Sequence, residues 1–250
     1  MNNSEFYKKT AAVTGAAQGI GKAIVTMLQQ AGARVAQLDI QFEDNVHTDQ
    51  YHVDVSDSHS VRQVIDKIEN HLGPIEYLVN AAGILYMGSL LDSAEDDWHK
   101  TFAVNTTGAY NVFRVVAHKM RQRQQGVIVA VGSNAATVPR MSMGSYAASK
   151  AAMTQMIKCL GLELAEANVR CNIVAPGSTD TEMQRQLWTD DSGPAQVIQG
   201  SLDSFRLGIP LKRIATAEQV ASVVLFLLSK DASHITLETI VVDGGATLGC

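Results

Sequence analysis

The chain has 250 residues, 46% of them hydrophobic, enough for one large α/β domain or two small ones. Its formal net charge of −5 gives no sign of a nucleic-acid partner or of binding to an anionic membrane. The three cysteines are too few and too dispersed for a disulfide framework or a zinc site. No apolar stretch is long enough for a signal peptide or a membrane span. We therefore expect a cytoplasmic protein with no bound metal.

Short β-branched runs alternate with helical stretches, a pattern typical of βαβ units and a parallel sheet. Apolar residues at helical spacing predict a helix over Ser58–Leu72, which Gly73-Pro74 ends. The predicted strands are Thr10–Thr14, Arg34–Asp39, Tyr51–Asp54, Tyr77–Asn80, Val127–Gly132, Val169–Ala175 and Thr239–Val242. No linker or repeat divides the chain. We therefore expect residues 1–250 to form one Rossmann-type α/β domain, a doubly wound parallel sheet of about seven strands with helices on both faces.

A polar segment from about residue 184 to 212 interrupts this alternation between the sixth and seventh strands. It contains several glycines and Pro194. Ligands of open α/β sheets bind beyond the carboxyl ends of the strands, and the segment follows one such end. We interpret residues 184–212 as the covering segment of a substrate site. A tolerated surface insertion is the alternative.

A glycine-rich turn, Gly15-Ala16-Ala17-Gln18-Gly19-Ile20-Gly21, joins the first strand to a helical stretch. Glycines allow a tight turn and a close approach to a pyrophosphate, and the following helix presents free N–H groups to that anion. The strand before and the helix after make the signal more specific than three glycines alone. The sequence therefore predicts a dinucleotide-binding loop, with contacts from Gly15, Gln18, Gly19, Ile20 and Gly21.

An acidic residue, Asp39, closes the second predicted strand. A carboxylate there can accept hydrogen bonds from the ribose hydroxyls of adenosine and repels the 2′-phosphate of NADP. Neither Gln18 nor Ile40 supplies a compensating cation, so the sequence predicts NAD. A simple role at a strand end is the alternative for Asp39. Small or polar residues at the next two strand ends are further predicted cofactor contacts: Asp54, Val55, Asn80, Ala81 and Gly83.

Tyr146 and Lys150 lie four residues apart in a stretch with helical propensity, so their side chains share one helix face. A free phenol has a pKa near 10 and is a poor base at neutral pH. An ammonium group about 4 Å away, at an effective dielectric of about 20, stabilises the phenolate by about 4 kcal/mol, or about 3 pKa units. We expect the pair to form a general base, with Ser133 holding the substrate oxygen and Asn105 as a fourth polar residue nearby.

These motifs resemble the short-chain dehydrogenase/reductase family over essentially the whole chain. The resemblance rests on TGAAQGIG, Asp39, NAAG, Ser133, YAASK and the Pro176-Gly177 turn. It implies an oxidoreductase in which Tyr146 is the acid/base and Ser133 orients the substrate oxygen. Lys150 would lower the tyrosine pKa and bind the nicotinamide ribose, and Asn105 would support a proton-relaying water.

The same resemblance implies further cofactor contacts and an assembly. The contacts are Pro176, Gly177, Thr179 and Thr181, and the assembly is a homotetramer. Ala81 replaces an asparagine common in the family, and Thr179 replaces an aliphatic residue. Neither change removes a group from the catalytic tetrad, so the expected reaction type stands.

Longer strings, PGSTDTEMQRQLW above all, resemble a narrower group of the family whose substrate is a small, anionic cyclic dihydrodiol. A substrate carboxylate should meet a cation. Arg140, between Ser133 and Tyr146, is the first candidate, and Arg185 in the covering segment is the second. Two alternatives stay open: a family member acting on a sugar, steroid or acyl-carrier substrate, and a non-catalytic protein that uses the nucleotide fold for sensing.

Overall fold

The computed structural model describes residues 5–43, 49–188 and 193–249. The strands are β1 (Thr10–Thr14), β2 (Arg34–Asp39), β3 (Gln50–His52), β4 (Ile75–Asn80), β5 (Gly126–Val131), β6 (Val169–Pro176), β7 (Thr179–Asp180), β8 (Ala215–Thr216) and β9 (Thr239–Val242). Seven of them form a parallel sheet in the order β3-β2-β1-β4-β5-β6-β9. The predicted fold class is confirmed. The strand order reverses between β1 and β4, where ligands of such sheets bind.

Helices cover both faces of the sheet. They are α1 (Gly19–Gln30), α2 (Ser58–Leu72), α3 (Glu95–Phe102), α4 (Ala109–Arg123), α5 (Gly144–Leu164), α6 (Glu182–Arg185), α7 (Gly193–Gln199) and α8 (Ala217–Leu228). One core layer lies between the sheet and helices α2, α4 and α5, and the other lies under α1 and α8. Helix α2 has the predicted bounds because its apolar stripe is buried and the Asp57 carboxylate caps its first turn.

The third strand is shorter than the sequence predicts. It ends at His52, although the Val53 N–H still donates to the Asp39 carbonyl at 3.1 Å. The Asp54 carboxylate accepts from the backbone N–H and the hydroxyl of Ser56, at 2.9 and 2.7 Å. These local bonds turn the chain out of the sheet before Asp54, because aspartate side chains compete with strand pairing.

The covering segment is partly helical and lies between two short strands that form a separate two-stranded sheet. Strands β7 and β8, which the sequence analysis missed, pair in parallel where the chain leaves and re-enters the body of the protein. Helices α6 and α7 lie between them, and residues 189–192 of the segment lie outside the described residues. A narrow hairpin joins Ser201 to Arg206. Over the part of the chain that is described, no helix is both long and apolar enough to span a membrane.

Candidate active site

A cleft of about 1100 Å³ lies at the carboxyl ends of the sheet strands. Its size and concave shape suit a dinucleotide together with a small substrate. Most of the residues predicted from the sequence line it: Gly15, Gln18, Gly19, Ile20, Gly21, Asp39, Asp54, Val55, Ala81, Gly83, Ser133, Arg140, Tyr146, Lys150, Pro176, Gly177, Thr179 and Thr181. Asn80, Asn105 and Arg185 do not line it.

The glycine loop packs closely against its neighbours, at positions where a side chain would not fit. Gly15 has a φ of +66°, and a Cβ atom there would lie 2.8 Å from the Ala82 backbone. A Cβ atom at Gly21 would lie 1.9 Å from the Gly15 carbonyl oxygen. A Cβ atom at Gly19 would lie 3.2 Å from the Thr181 methyl group, so the Pro176–Thr181 segment reaches this loop. The loop and the start of α1 therefore fit a pyrophosphate group.

Asp39 is fixed at the entrance to this loop. Its side chain is only 8% exposed, and its carboxylate accepts from the N–H groups of Ala17 and Gln41, both at 3.0 Å. Among the described residues that line the cleft, the lysines and arginines are Lys150, Arg140 and Arg206, and none belongs to the glycine loop or the end of β2. The adenosine end of the cleft therefore presents an acid without a neighbouring lining cation.

Thr14 organises the turn after β4, a role that sequence reasoning missed. Its hydroxyl donates to the Asn80 side-chain oxygen and accepts from the N–H groups of Ala81 and Ala82, each at 3.1 Å. Asn80 is buried at 2% exposure and braces this turn from inside, and it is not among the residues that line the cleft. The register of β1 beside β4 creates this contact, which is 66 residues distant in sequence.

Asn105 lies in a π-helical turn, Ala103–Gly108, and is buried between Ile84 and Ser149 of helix α5. Its side chain accepts from the Ile84 N–H at 2.9 Å and donates to the Ile84 carbonyl at 3.0 Å. It also donates to the Ser149 hydroxyl at 3.0 Å, and that hydroxyl donates to the Tyr146 carbonyl at 2.8 Å. The structure thus gives Asn105 a positioning role between the turn after β4 and helix α5. Ser149, an internal residue of YAASK, was not singled out in the sequence.

Tyr146 and Lys150 project from the same face of α5, as their spacing predicts. The Lys150 ammonium lies 5.8 Å from the centre of the Tyr146 ring and donates to the Val131 carbonyl at 3.0 Å. A hydrogen bond joins the side chains of Tyr146 and Ser133. Ser133 itself is held by the Ala135 N–H, which donates to its hydroxyl at 3.1 Å. These contacts bring a phenol, a hydroxyl and an ammonium group together in the cleft that the glycine loop also lines.

Burial controls the protonation of this pair. It raises the pKa of Tyr146, an effect that the hydrogen bond from Ser133 opposes, and it lowers the pKa of Lys150 to about 8. The net direction for Tyr146 is therefore opposite to the one predicted from the Tyr–Lys spacing. Removing water destabilises the phenolate and the ammonium alike, and spacing alone does not show how deeply either group is buried.

Arg185 is not at the cleft, which corrects its predicted role in substrate binding. Its guanidinium binds the Asp180 carboxylate through Nε at 2.7 Å and Nη2 at 3.0 Å, and both side chains are exposed. This bond lowers the pKa of Asp180. This bidentate pair uses the Nε and Nη2 donors of the guanidinium, so that edge of Arg185 is already bound to a carboxylate.

Arg140 does line the cleft, as predicted, in the loop between β5 and α5. Arg206, which the sequence analysis did not single out, lines the same cleft from the hairpin of the covering segment.

No cluster of three or more His, Cys, Asp or Glu side chains in the described ranges has the arrangement of a metal site.

Comparison with known proteins identifies the family. A family model described as enoyl-(acyl carrier protein) reductase matches residues 15–247. The 2,3-dihydro-2,3-dihydroxybenzoate dehydrogenase of Bacillus subtilis is 48% identical and covers 100% of both chains. The Escherichia coli protein of the same name is 46% identical over 98% of this chain and 99% of its own. A ligand-free Thermoplasma acidophilum aldohexose dehydrogenase has a TM-score of 0.88 and 30% identity, covering 99% of this chain and 97% of that one. This chain therefore belongs to the short-chain dehydrogenase/reductase family and is an oxidoreductase that uses a nicotinamide cofactor.

Proposed function

We propose that the protein oxidises 2,3-dihydro-2,3-dihydroxybenzoate to 2,3-dihydroxybenzoate with NAD⁺, a step toward catecholate siderophores. The observation that carries the oxidoreductase chemistry is that Tyr146, Ser133 and Lys150 meet in the cleft that the glycine loop also lines. The choice of substrate is supported by two full-length relatives of that name at 46% and 48% identity. Lining arginines add support, because this substrate is an anion.

The residues of the chain suit the proton half of such an oxidation. When bound, the nicotinamide ring supplies the hydride acceptor and a positive charge that favours a nearby phenolate. Ser133 hydrogen-bonds and orients the substrate oxygen, and Tyr146 accepts the proton of that hydroxyl group as the carbinol carbon loses its hydride. Lys150 stabilises the phenolate electrostatically. The ring ketone so formed loses a ring proton and gains an O–H bond, giving the aromatic catechol.

The preference for NAD is part of this proposal and rests on Asp39. Replacing it by Asn should lower kcat/KM for NAD⁺ by about 10- to 100-fold, because a ribose hydroxyl loses a charged acceptor. The same change should raise kcat/KM for NADP⁺, because the repulsion of its 2′-phosphate is removed. Steady-state rates with each cofactor test this. Asp92→Asn, at an exposed position outside the cleft, is the matched control, and an unchanged cofactor ratio in Asp39→Asn would contradict the assignment.

We further propose that the 184–212 segment covers the substrate and that the protein acts as a cytoplasmic homotetramer. Described residues before and after residues 189–192 of the segment line the cleft, including Leu187, Gln196 and Arg206.

The tetramer is supported by exposed apolar side chains. Tyr110 on α4 and Leu162 on α5 are 47% and 66% exposed, and subunit packing would bury them. Light scattering of the purified protein tests the tetramer, and a monomeric mass would contradict it.

The proposed reaction is tested by mixing the purified protein, NAD⁺ and the dihydrodiol acid. We expect NADH absorbance and a catechol product to appear together in equal amounts. An aldohexose, the substrate class named for the structural relative, serves as the comparison substrate. Turnover of the sugar without turnover of the dihydrodiol acid would overturn the substrate assignment while leaving the oxidoreductase chemistry in place.

A further inference from the structure

Two arginines from distant parts of the chain line the same cleft. Arg140 lies in the loop after β5, and Arg206 lies in the covering segment. Both side chains are half-buried. Within the described ranges neither guanidinium forms an ion pair, in contrast to Arg123 and Arg185. A half-buried guanidinium without an acidic partner is free to bind an anionic group of a ligand.

Arg140 is anchored next to the catalytic loop. The Met143 N–H donates to its carbonyl at 3.3 Å, just before α5 begins. The acid whose charge acts on Arg140 is Asp243, but that carboxylate has other partners. It accepts from Asn134 at 3.1 Å, from the Gly245 N–H at 2.9 Å and from the Thr247 hydroxyl at 2.7 Å. Asp243 therefore holds the loop beside Ser133 and leaves the Arg140 guanidinium without a direct acidic contact.

Arg206 is anchored by its backbone. It exchanges two hydrogen bonds with Ser201, at 2.8 and 2.9 Å, which close the hairpin. The chain after it then crosses the turn that follows Asp243, because the Leu211 N–H donates to the Gly244 carbonyl at 3.2 Å. A Cβ atom on Gly244 would lie 2.8 Å from the Ile209 side chain. The covering segment is thus tied to the same turn that Asp243 begins, which brings Arg206 to the end of the cleft where Arg140 lies.

The two positive charges act on each other. Burial, followed by the nearby charge of Arg206, lowers the pKa of Arg140, and burial lowers the pKa of Arg206. Arginine nevertheless stays charged at neutral pH, so like charges share one half-buried site at a cost in free energy. A carboxylate has two oxygens and can accept from two guanidinium groups at once, which removes this repulsion.

We propose that Arg206 and Arg140 jointly bind the carboxylate of the substrate, which makes Arg206 a specificity-determining residue contributed by the covering segment. This inference rests on the proposed function, which supplies a cyclic substrate with a single carboxylate. It replaces Arg185 by Arg206 as the second cation. It also gives the covering segment a role in substrate recognition. The bound carboxylate would connect Arg206 of that segment to Arg140 of the loop that follows β5 and Ser133.

The kinetic test compares Arg206→Gln and Arg140→Gln with the parent enzyme. Each should raise KM for the dihydrodiol acid by about 10- to 100-fold, because a charge-assisted hydrogen bond is lost. KM for the neutral methyl ester of the same dihydrodiol should change little. The double variant should lose less than the product of the two single effects, because both groups act on one carboxylate. Equal losses with acid and ester, or an unchanged KM for the acid, would overturn the role of Arg206.

A binding test separates this inference from the proposed reaction. Benzoate, a minimal aromatic carboxylate, is titrated calorimetrically into the parent protein in the presence of NADH. We expect both Gln variants to weaken benzoate binding by about 10-fold or more. Arg213→Gln removes an exposed positive charge outside the cleft and should bind benzoate as the parent does. NADH affinity and the melting temperature, measured on each variant, report whether the fold is intact.

The outcomes are distinct. If the parent fails to oxidise the dihydrodiol acid but benzoate binding depends on both arginines, the proposed reaction fails and the anion site stands. If the parent oxidises the acid but Arg206→Gln binds benzoate as tightly as the parent, the reaction stands and the paired site fails. A parent that does not bind benzoate at all would also overturn the paired site.

Discussion

Replacing Tyr146 by Phe should slow oxidation of the substrate by about 10²- to 10⁴-fold, the range expected for the loss of a general base. The change removes one oxygen atom, and with it the hydrogen bond to Ser133 and the only group on that ring that can accept a proton. The ring itself remains, so its packing against Lys150 is retained. Steady-state NADH formation at saturating NAD⁺ measures the loss.

The variant should still bind the cofactor, because the glycine loop and Asp39 are untouched. Titration of NADH fluorescence provides that control. Tyr7→Phe, an exposed position before β1 and outside the cleft, is the matched substitution and should keep the parental rate. Parental turnover by Tyr146→Phe would rule out the proposed general base.

The rate of the parent enzyme should rise with pH wherever protonation of Tyr146 limits turnover. Burial raises the pKa of Tyr146, so in the absence of other charges its proton is lost only under alkaline conditions. Lys150 and the positive nicotinamide both favour the phenolate, and the rising limb of kcat/KM against pH reports how far they lower this pKa. This limb should be absent from the residual activity of Tyr146→Phe.

Replacing Lys150 by Met should lower kcat/KM by about 10²-fold. At the observed 5.8 Å from the ring centre, an ammonium charge stabilises a phenolate by about 3 kcal/mol at an effective dielectric of about 20. Methionine has similar length and no charge, so it removes this stabilisation with little change in volume. Lys158→Met, on the same helix but outside the cleft, is the control. A loss seen equally in both variants would indicate damage to α5 and not to the catalytic pair.

The same Lys150 variant should change the pH dependence of stability. Burial lowers the pKa of Lys150 from 10.5 in the unfolded chain to about 8 in the folded protein. Between these values the unfolded chain binds more protons, so stability rises with pH across this window. Below pH 8 the buried ammonium costs the folded protein about 3 kcal/mol relative to the neutral amine.

The Lys150 variant should therefore be more stable than the parent at pH 7, and this advantage should disappear by about pH 10. Urea unfolding of both proteins at the two pH values measures the difference. The change in that difference between pH 7 and pH 10 should be about 2 to 3 kcal/mol. A difference that does not vary with pH would show that Lys150 is not buried as a charged group.

The local features of the fold follow from short-range patterns. Helix α2 has its predicted bounds because Val61, Ile65 and Ile68 repeat at helical spacing, and Asp57 is a good capping residue. The glycine loop is recognisable because Gly15 must adopt a positive φ and leave room for the Ala82 backbone. Tyr146 and Lys150 meet because residues four apart on a helix share a face.

Contacts between distant parts of the chain were not predictable in this way. Thr14 bonds Asn80 only because β1 lies beside β4, and Ser149 meets Asn105 only because α5 packs against the π-helical turn. The direction of the Tyr146 pKa depends on burial by all of these elements together. Strands β7 and β8 are two residues each, too short for any alternation of apolar and polar residues to reveal them.

The sequence by itself determined the sheet-and-helix alternation, the glycine loop and the pairing of Tyr146 with Lys150, since each depends on residues close together along the chain. Only the tertiary structure decided between the two arginines of the covering segment. Arg185 lies five residues after Asp180 and is bound by it, whereas Arg206 reaches the cleft through a hairpin tied to the turn after Asp243. The sequence does not distinguish these two arginines, because the fold sets which charged groups lie near each of them.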